Sequence, residues 1–317
     1  MVREYSVGGM NISVFQYFPG GKIGGDFYDV YKNGEKFGFF SFDNKGKNLH
    51  NGILRVFKKL KKMKRLNGYV PLAGVFEYAN NVACRTFDMG IYEIKRSILA
   101  DLLFDYGIEI DPKTMKPKEN ADSESDDASR KKAVDGMIQH LKDVDDMDHN
   151  FVAATGVVWD RIGNAEFGIA AQEPGFFYDA SENRLIDISN EYPDLSGGYI
   201  GVFKDSKYNT IQFKMDIGDM LILFTDGIEA IRMGFGSDDD FSKEDMFNFC
   251  YENLVHRGVG REQFVTEFKT YLSKLNQSYM EDALKSPDKR DHEKRAVRDD
   301  ISLNVLEFNP LESETVA

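Results

Sequence analysis

Short runs of apolar residues, separated by turns rich in glycine, asparagine and aspartate, dominate the chain and predict many β-strands. The clearest run is Met220–Phe224, which follows the turn residues Gly218 and Asp219 and ends at Thr225. All five of its residues are apolar, so it predicts a strand that is buried on both faces. Similar patterns predict strands at 4–18 (with an early glycine break), 27–31, 36–42, 151–159, 165–171, 175–178, 185–188, 197–203, 209–215 and 301–308.

Apolar residues at helical spacing occur in two blocks between these strands. They predict helices at 49–66, 74–104, 133–144 and 243–285. Lysine and arginine residues on one face of the first helix form either a basic docking surface or, as is more usual, a solvated face. Helices grouped in blocks among antiparallel strands favour an α+β fold over alternating βαβ units.

The segment 111–132 differs from its surroundings because it is acidic and nearly without large apolar residues. Such a composition cannot bury enough apolar surface to fold, so it predicts a disordered insert. Strand-like sequence resumes after it, which indicates a surface loop and not a domain boundary. We therefore expect one domain over residues 1–317.

Composition narrows the classes of function. The net charge is −13, which argues against nucleic acid as the main partner. The two cysteines, Cys84 and Cys250, are far apart and lack metal-binding spacing, which fits a reducing compartment. The chain has no apolar run of membrane-spanning length and no signal-peptide pattern, so it predicts a cytoplasmic protein without a membrane span.

Aspartates recur where predicted strands begin or end. Asp26 opens a strand after a Gly-Gly turn, Asp43 closes the next strand, Asp226 follows the buried run, and Asp299 precedes the last strand. If these strands lie in adjacent sheets, the four carboxylates can meet at one edge. Each position alone also fits a turn or a helix N-cap. Together, oxygen ligands without histidine or cysteine suit Mg²⁺ or Mn²⁺, and two such ions can clamp a phosphoryl group.

At three places the sequence resembles the bacterial SpoIIE/RsbU-type serine/threonine phosphatases of the metal-dependent type 2C (PPM) superfamily. The first is Gly24-Gly25-Asp26-Phe27-Tyr28-Asp29. The second is Gly218-Asp219-Met220-Leu221-Ile222-Leu223-Phe224-Thr225-Asp226-Gly227-Ile228-Glu229-Ala230, and the third is Arg298-Asp299-Asp300-Ile301-Ser302-Leu303. They occur in the order typical of that family, and the resemblance extends over about residues 10–308.

The resemblance implies an αββα sandwich, two antiparallel sheets flanked by helices, and a site for two Mn²⁺ or Mg²⁺ ions. In that family Asp43 would bridge both ions and the backbone carbonyl of Asn44 would bind one. Asp226 and Asp299 would hold the second ion, and Asp26 would bind directly or through water. A water that bridges the ions would attack phosphoserine or phosphothreonine in line, without a covalent enzyme intermediate.

Two stretches depart from the family pattern. Asn48 stands where the second motif usually has its second glycine, and the stretch 170–174 keeps only Ala171 and Pro174 of its usual motif. These departures leave open a silent phosphatase-fold module that binds a phosphoprotein without turning it over. A phosphohydrolase acting on a small molecule is a third alternative.

The resemblance also bears on partners and regulation. It implies a phosphorylated protein substrate such as an anti-sigma-factor antagonist, while the oligomeric state, a dimer included, stays open. Residues 49–104 would be the candidate regulatory switch. Because no sensor domain precedes residue 1, regulation is expected from partners, from a longer natural chain or from the insert.

Overall fold

The computed structural model describes ten segments of the chain. These are residues 1–19, 26–45, 71–84, 110–111, 116–117, 135–136, 151–203, 205–236, 239–288 and 295–310. The predicted helix 49–66, most of the helix 74–104 and the position of Asn48 lie outside the described residues. The same holds for most of the predicted insert 111–132.

The described residues form thirteen strands, and every pair of adjacent strands runs antiparallel. Six strands make one sheet in the order β1-β2-β13-β12-β9-β10, and five make a second in the order β11-β8-β7-β4-β3, while β5 and β6 form a separate short ladder. The strands are β1 Val2–Val7, β2 Met10–Tyr17, β3 Phe27–Asn33, β4 Lys36–Lys45, β5 Ile110–Asp111, β6 Lys116–Pro117, β7 Phe151–Asp160, β8 Asn164–Ala170, β9 Phe176–Asp179, β10 Arg184–Asp187, β11 Thr210–Lys214, β12 Met220–Phe224 and β13 Ile301–Phe308.

Helices lie outside the sheets. They span residues 72–84, Ile188–Glu191, Lys243–Cys250 and Arg261–Ala283, with a π-helical turn at Tyr251–His256 and a 3₁₀ turn at Asp226–Ile228. A capping box begins the Lys243–Cys250 helix, because Ser242 and Asp245 each accept a hydrogen bond from the other's backbone N–H. No helix in the described segments is both long and apolar enough to cross a bilayer.

Three apolar clusters make the layers. Leu221 and Leu223 of β12 point into the cluster between the two sheets, whereas Ile222 and Phe224 point into the cluster beneath the Arg261–Ala283 helix. The helix 72–84 covers the outer face of the second sheet through a third cluster. The predicted αββα sandwich is therefore confirmed, as is the expected burial of Met220–Phe224 on both faces.

Two predicted strands differ from the structure. The stretch 4–18 is not one strand but the hairpin β1–β2, because Gly8 and Gly9 adopt positive φ angles of 59° and 81° and reverse the chain. The stretch 197–203 makes only the isolated bridges Gly197↔Tyr208 and Val152↔Ile200. Elsewhere in it the side chain of Asn80 replaces a strand partner, since it accepts from Gly201 N at 2.8 Å and donates to Phe203 O at 2.6 Å.

The predicted helix 243–285 is interrupted, because the chain leaves helical geometry between His256 and Arg261, where Gly258 has a φ of 60°. The remaining strand predictions are confirmed with small shifts at their ends. The prediction of one domain over residues 1–317 stays a prediction.

Candidate metal centre

Strand register brings the four predicted aspartates to one end of the sandwich. In the β3–β4 hairpin Phe27 pairs with Phe42, so Asp26 and Asp43 lie opposite each other just beyond that pair. In the other sheet Phe224 pairs with Leu303, so Asp226 and Asp299 lie near the same ends of β12 and β13. The two sheets therefore present two carboxylates each at a shared edge.

Asp26 is buried, with 4% of its surface exposed, and it links the two sheets. Its Oδ2 accepts a hydrogen bond from Thr225 Oγ1 at 2.7 Å, and Thr225 Oγ1 in turn accepts from Ser302 N at 3.0 Å. Burial and, to a smaller extent, the charge of Asp43 raise the pKa of Asp26 to about 9, although hydrogen bonds from Thr225 and Ser302 oppose the rise. Asp26 is thus a buried carboxylate whose ionised form needs a nearby cation.

Asp43 lies between the other carboxylates. Burial, together with the charges of Asp226 and Asp299, raises the pKa of Asp43 to about 7. Its side chain is also within hydrogen-bonding reach of both Asp226 and Asp26. Two carboxylates at that separation either share one proton or stay ionised with a cation between them.

Asp226 and Asp299 are exposed at the rim of this cluster. Asp226 is the first residue of the 3₁₀ turn, and the N-cap of that turn is Thr225, so the alternative of Asp226 as an N-cap is wrong. Gly227 lies against the backbone of the β13 entry, where an added Cβ would be 1.7 Å from Asp300 O. Close packing of the Asp226–Ile228 turn against the residues that precede β13 thus brings Asp226 and Asp299 together.

Several polar residues that support the centre were not predicted. Gln16 Nε2 donates to Asp26 O and to Ser302 Oγ, both at 3.2 Å, and Asn304 Nδ2 of β13 donates to Ser41 Oγ of β4 at 3.0 Å. Their signal was present in the sequence: Ser302 and Asn304 are polar residues at alternate positions of an otherwise apolar strand. Their partners could not be found without the strand order.

The stretch 170–174, which departs from the family motif, is integrated beside the centre. Gln172 accepts from Thr155 Oγ1 at 3.0 Å and donates to Phe224 O at 3.2 Å, so it joins the two sheets directly behind Thr225. Glu173 forms an ion pair of 2.9 Å with Lys243. The unusual residues therefore connect strand β12 to its surroundings.

The donor set fits hard divalent cations. It consists of carboxylates, with the backbone of Asn44 next to Asp43 in β4, opposite Val152. The raised pKa values of Asp26 and Asp43 have the sign expected where negative charges collect for a cation. In the described ranges no three His, Cys, Asp or Glu side chains are already grouped around one ion position.

Comparison with known proteins places this arrangement in a family. A curated relative, the phosphoserine phosphatase RsbU of Bacillus subtilis, is 30% identical over 79 residues, which cover 24% of this chain and 22% of that protein. The solved RsbU and RsbW domains of a Mycobacterium tuberculosis protein superpose with a TM-score of 0.53 at 13% identity, covering 98% of this chain and 64% of that one. A solved Bacillus subtilis SpoIIE structure, with its PP2C phosphatase domain and a fragment of the regulatory domain, gives a TM-score of 0.49 at 12% identity over 96% of this chain and 64% of that one.

The superposition with a TM-score of 0.53 agrees with the four-layer sandwich. The chain spans only part of the length of the relatives named. The family profile of Stage II sporulation protein E (SpoIIE) matches residues 123–309. Since that match covers more than half of the chain, the protein belongs to the SpoIIE family.

Proposed function

We propose that the chain is a metal-dependent protein serine/threonine phosphatase. The observation that carries this proposal is the convergence of Asp26, Asp43, Asp226 and Asp299 at one edge of the sandwich. Family membership supports it, as does the relative named as a phosphoserine phosphatase. Among known uses of such a cluster, binding of two Mn²⁺ or Mg²⁺ ions best explains four carboxylates without histidine.

In the proposed mechanism the carboxylates act as ligands. Asp43, the most central, would contact both ions, and the carbonyl of Asn44 would contact one of them. Asp226 and Asp299 would hold the second ion, and Asp26 would bind directly or through water. When bound, the two ions would neutralise the phosphoryl oxygens and supply an activated water for in-line attack on phosphorus.

The supporting residues keep the ligands ready. Thr225 holds Asp26 Oδ2, and because its hydroxyl accepts from Ser302 N, its own proton is directed at Asp26. The donor therefore favours the ionised form of Asp26, which is the form that binds a cation. Gln16 fixes the backbone of Asp26 from the neighbouring strand β2. Because these ligands are already ordered, metal binding does not have to restrict their side chains.

The finer features of the function are part of this proposal. The substrate would be a phosphorylated protein such as an anti-sigma-factor antagonist, and the location would be the cytoplasm. The absence of a membrane-spanning helix in the described segments is consistent with that location.

The test is hydrolysis of para-nitrophenyl phosphate and of a phosphoserine peptide with Mn²⁺, with Mg²⁺ and with chelator. We expect turnover that requires Mn²⁺ or Mg²⁺ and that is lost in Asp43→Ala. A matched control is Asp160→Asn, an aspartate at the opposite end of the same pair of strands, which should retain turnover. Ion binding by calorimetry without any turnover would reject the phosphatase and favour the silent binding module.

A further inference from the structure

Strand β12 extends towards the candidate metal centre beyond the end of its neighbour β9. The described ladder between these two strands ends at the pair Ile222↔Phe176, before β12 reaches Phe224. There the backbone carbonyl of Phe224 accepts a hydrogen bond from Nε2 of Gln172 at 3.2 Å. The side chain of Gln172 thus supplies a donor to β12 directly before Thr225 and Asp226.

The oxygen of the same amide reaches the second sheet. Oε1 of Gln172 accepts a hydrogen bond from Oγ1 of Thr155 in β7 at 3.0 Å, and Gln172 is buried, with 8% of its surface exposed. Thr155 pairs with Ser41 of β4, and Asp43 is the next residue of β4 on the same face. One buried amide therefore connects the strand that leads to Asp226 with the neighbour of the strand that carries Asp43.

The backbone around Gln172 holds this amide in one place. Ala171 has a φ of 51°, in the left-handed region that residues other than glycine rarely adopt, and its N–H donates to Gly197 O at 2.8 Å. On the other side Glu173 forms its ion pair with Lys243. An uncommon backbone conformation that is kept beside a candidate site indicates a functional constraint.

The separation of the two sheets decides whether the four carboxylates can share their ions. Asp26 and Asp43 lie at the end of one sheet, whereas Asp226 and Asp299 lie at the end of the other. Oxygen ligands bind Mg²⁺ at about 2.0–2.1 Å in a nearly fixed geometry, so the two pairs must be held at a nearly constant separation. A link between the sheets directly behind these ligands controls that separation.

We propose that Gln172 is a positioning residue, which fixes the separation of the two carboxylate pairs and so sets the affinity of the centre for its metal ions. The inference rests on the proposed phosphatase function. Gln172 belongs to the stretch 170–174 that departs from the family motif. On this proposal the departure maintains the metal centre, because it introduces the amide that joins the sheets.

The experiment compares the wild-type protein with Gln172→Met, in which a side chain of similar length lacks the amide that makes both hydrogen bonds. Calorimetry should show that the dissociation constant for Mn²⁺ rises about ten-fold, as expected when a residue that orients metal ligands is removed. The Mn²⁺ concentration for half-maximal hydrolysis of para-nitrophenyl phosphate should rise with it. At saturating Mn²⁺ most of the rate should return, because Gln172 acts only on the spacing of the ligands.

Thr155→Val tests the same link from the second sheet, and it keeps the test available if Gln172→Met does not fold. It removes the hydroxyl that donates to Gln172 and should also weaken Mn²⁺ binding. The double variant should bind Mn²⁺ no more weakly than Gln172→Met alone, since both changes break one link. Effects that multiply in the double variant would show that the two residues act separately and would contradict the proposal.

Asn253→Leu is the matched control, because Asn253 is also a buried amide that donates to a backbone carbonyl, that of Phe249, at 2.8 Å. It lies in the π-helical turn, where Val255 O accepts from Asn183 of the β9–β10 turn, at the end of the sheet away from the centre. Thermal unfolding should show that Asn253→Leu and Gln172→Met are both less stable than the wild-type protein. Only Gln172→Met should bind Mn²⁺ more weakly.

The outcomes separate the role of Gln172 from the proposed function. Unchanged Mn²⁺ affinity in Gln172→Met, while the wild-type protein hydrolyses para-nitrophenyl phosphate, would overturn the positioning role and leave the phosphatase intact. An equal loss of affinity in Asn253→Leu would also overturn it, since the effect would then follow stability alone. Mn²⁺ binding without hydrolysis by the wild-type protein would reject the phosphatase, and the measured affinities would still decide the role of Gln172.

Discussion

Strands β4 and β7 pair along ten residues, and an aspartate at each end of this ladder has opposite surroundings. At one end Asp160 accepts hydrogen bonds from Ile162 N and Asn164 N and forms an ion pair of 3.0 Å with Lys36. At the other end Asp43 faces Asp26, Asp226 and Asp299. Burial raises the pKa of Asp160, but hydrogen bonds from Asn164 and Lys36 together outweigh burial and lower that pKa, whereas the pKa of Asp43 rises to about 7.

The difference shows what distinguishes an aspartate that stabilises a turn from a candidate metal ligand. In the sequence both aspartates directly follow a predicted strand and come before turn-forming residues, so local sequence treats them alike. Asp160 accepts hydrogen bonds from the following turn and pairs with Lys36, so its charge is compensated within the fold. Asp43 has mainly negatively charged neighbours, so a cation from solution would be needed to compensate their charge.

The largest expected effect is on turnover at the carboxylate end. Asp226→Asn should lower metal-dependent hydrolysis of a phosphoserine peptide by at least about 100-fold, because an amide is a poorer ligand than a carboxylate. Asp226 is exposed, so circular dichroism should report an unchanged fold. A fully active Asp226→Asn protein would show that the Asp226 carboxylate is not needed for turnover.

Gly227 at the carboxylate end and Gly163 at the Asp160 end allow the effect of packing on stability to be measured separately from the effect on metal binding. An alanine Cβ would lie 1.7 Å from Asp300 O at Gly227 and 2.2 Å from Met215 O at Gly163, where φ is also +85°. Each Gly→Ala change should therefore lower the free energy of unfolding by about 3 kcal/mol, measured by urea denaturation. Only Gly227→Ala should also weaken metal binding in calorimetry; equal loss of metal binding in Gly163→Ala would break the distinction between the ends.

The dependence of stability on pH should have opposite signs at the two ends. The raised pKa values of Asp26 and Asp43 mean that, above their ordinary pKa near 3.8, the folded protein without metal binds more protons than the unfolded chain. Its stability should then fall as pH rises from that ordinary pKa towards the raised value of about 9. Thermal unfolding in chelator should show this loss, and Mg²⁺ should offset it.

The lowered pKa of Asp160 has the reverse consequence. Its contribution to stability is present above the ordinary pKa of aspartate and is lost as pH falls through the lowered value. Asp43→Asn should reduce the alkaline loss, of which buried Asp26 keeps a part, and should leave the acid limb unchanged. An alkaline loss that persists in Asp43→Asn and is insensitive to Mg²⁺ would point to groups outside the centre.

The smallest expected effect is at the turn. Asp160→Ala should lower the free energy of unfolding by about 1 kcal/mol, because the N–H groups of Ile162 and Asn164 lose a partially exposed acceptor. Turnover per folded molecule should not change. A loss of turnover comparable with that of Asp226→Asn would show that the two ends are not independent.

Much of the fold could be predicted because its strands carry strong local signals. Met220–Phe224 is apolar throughout, and the Asn33-Gly34 turn marks the β3–β4 hairpin. The stretch 197–203 was misjudged because its pattern resembles a strand, while the deciding contact comes from Asn80, more than a hundred residues away. Similarly, Gly8 and Gly9 predict a break within one strand, whereas in the structure they reverse the chain.

The sequence predicts which carboxylates form the candidate centre, but not the hydrogen bonds that surround them. Aspartates at strand ends are visible in the sequence, and their common edge follows once the sheets are assumed. The bond from Thr225 to Asp26 joins residues 199 positions apart, and that from Asn304 to Ser41 joins residues 263 apart. Such pairs depend on which strands are neighbours, which no local pattern contains.

The position of β13 has a consequence for how the chain acquires activity during synthesis. β13 lies between β2 and β12, so the second strand of the chain and the last of the described strands are neighbours in the same sheet. Contacts over such sequence separations slow folding, and until β13 inserts, β2 and β12 present unpaired edges. Asp26 also lacks the Thr225–Ser302 link until then. A ribosome-bound chain that stops before residue 301 would therefore lack β13 and be prone to aggregate, and the proposed phosphatase activity would begin only after β13 has been translated.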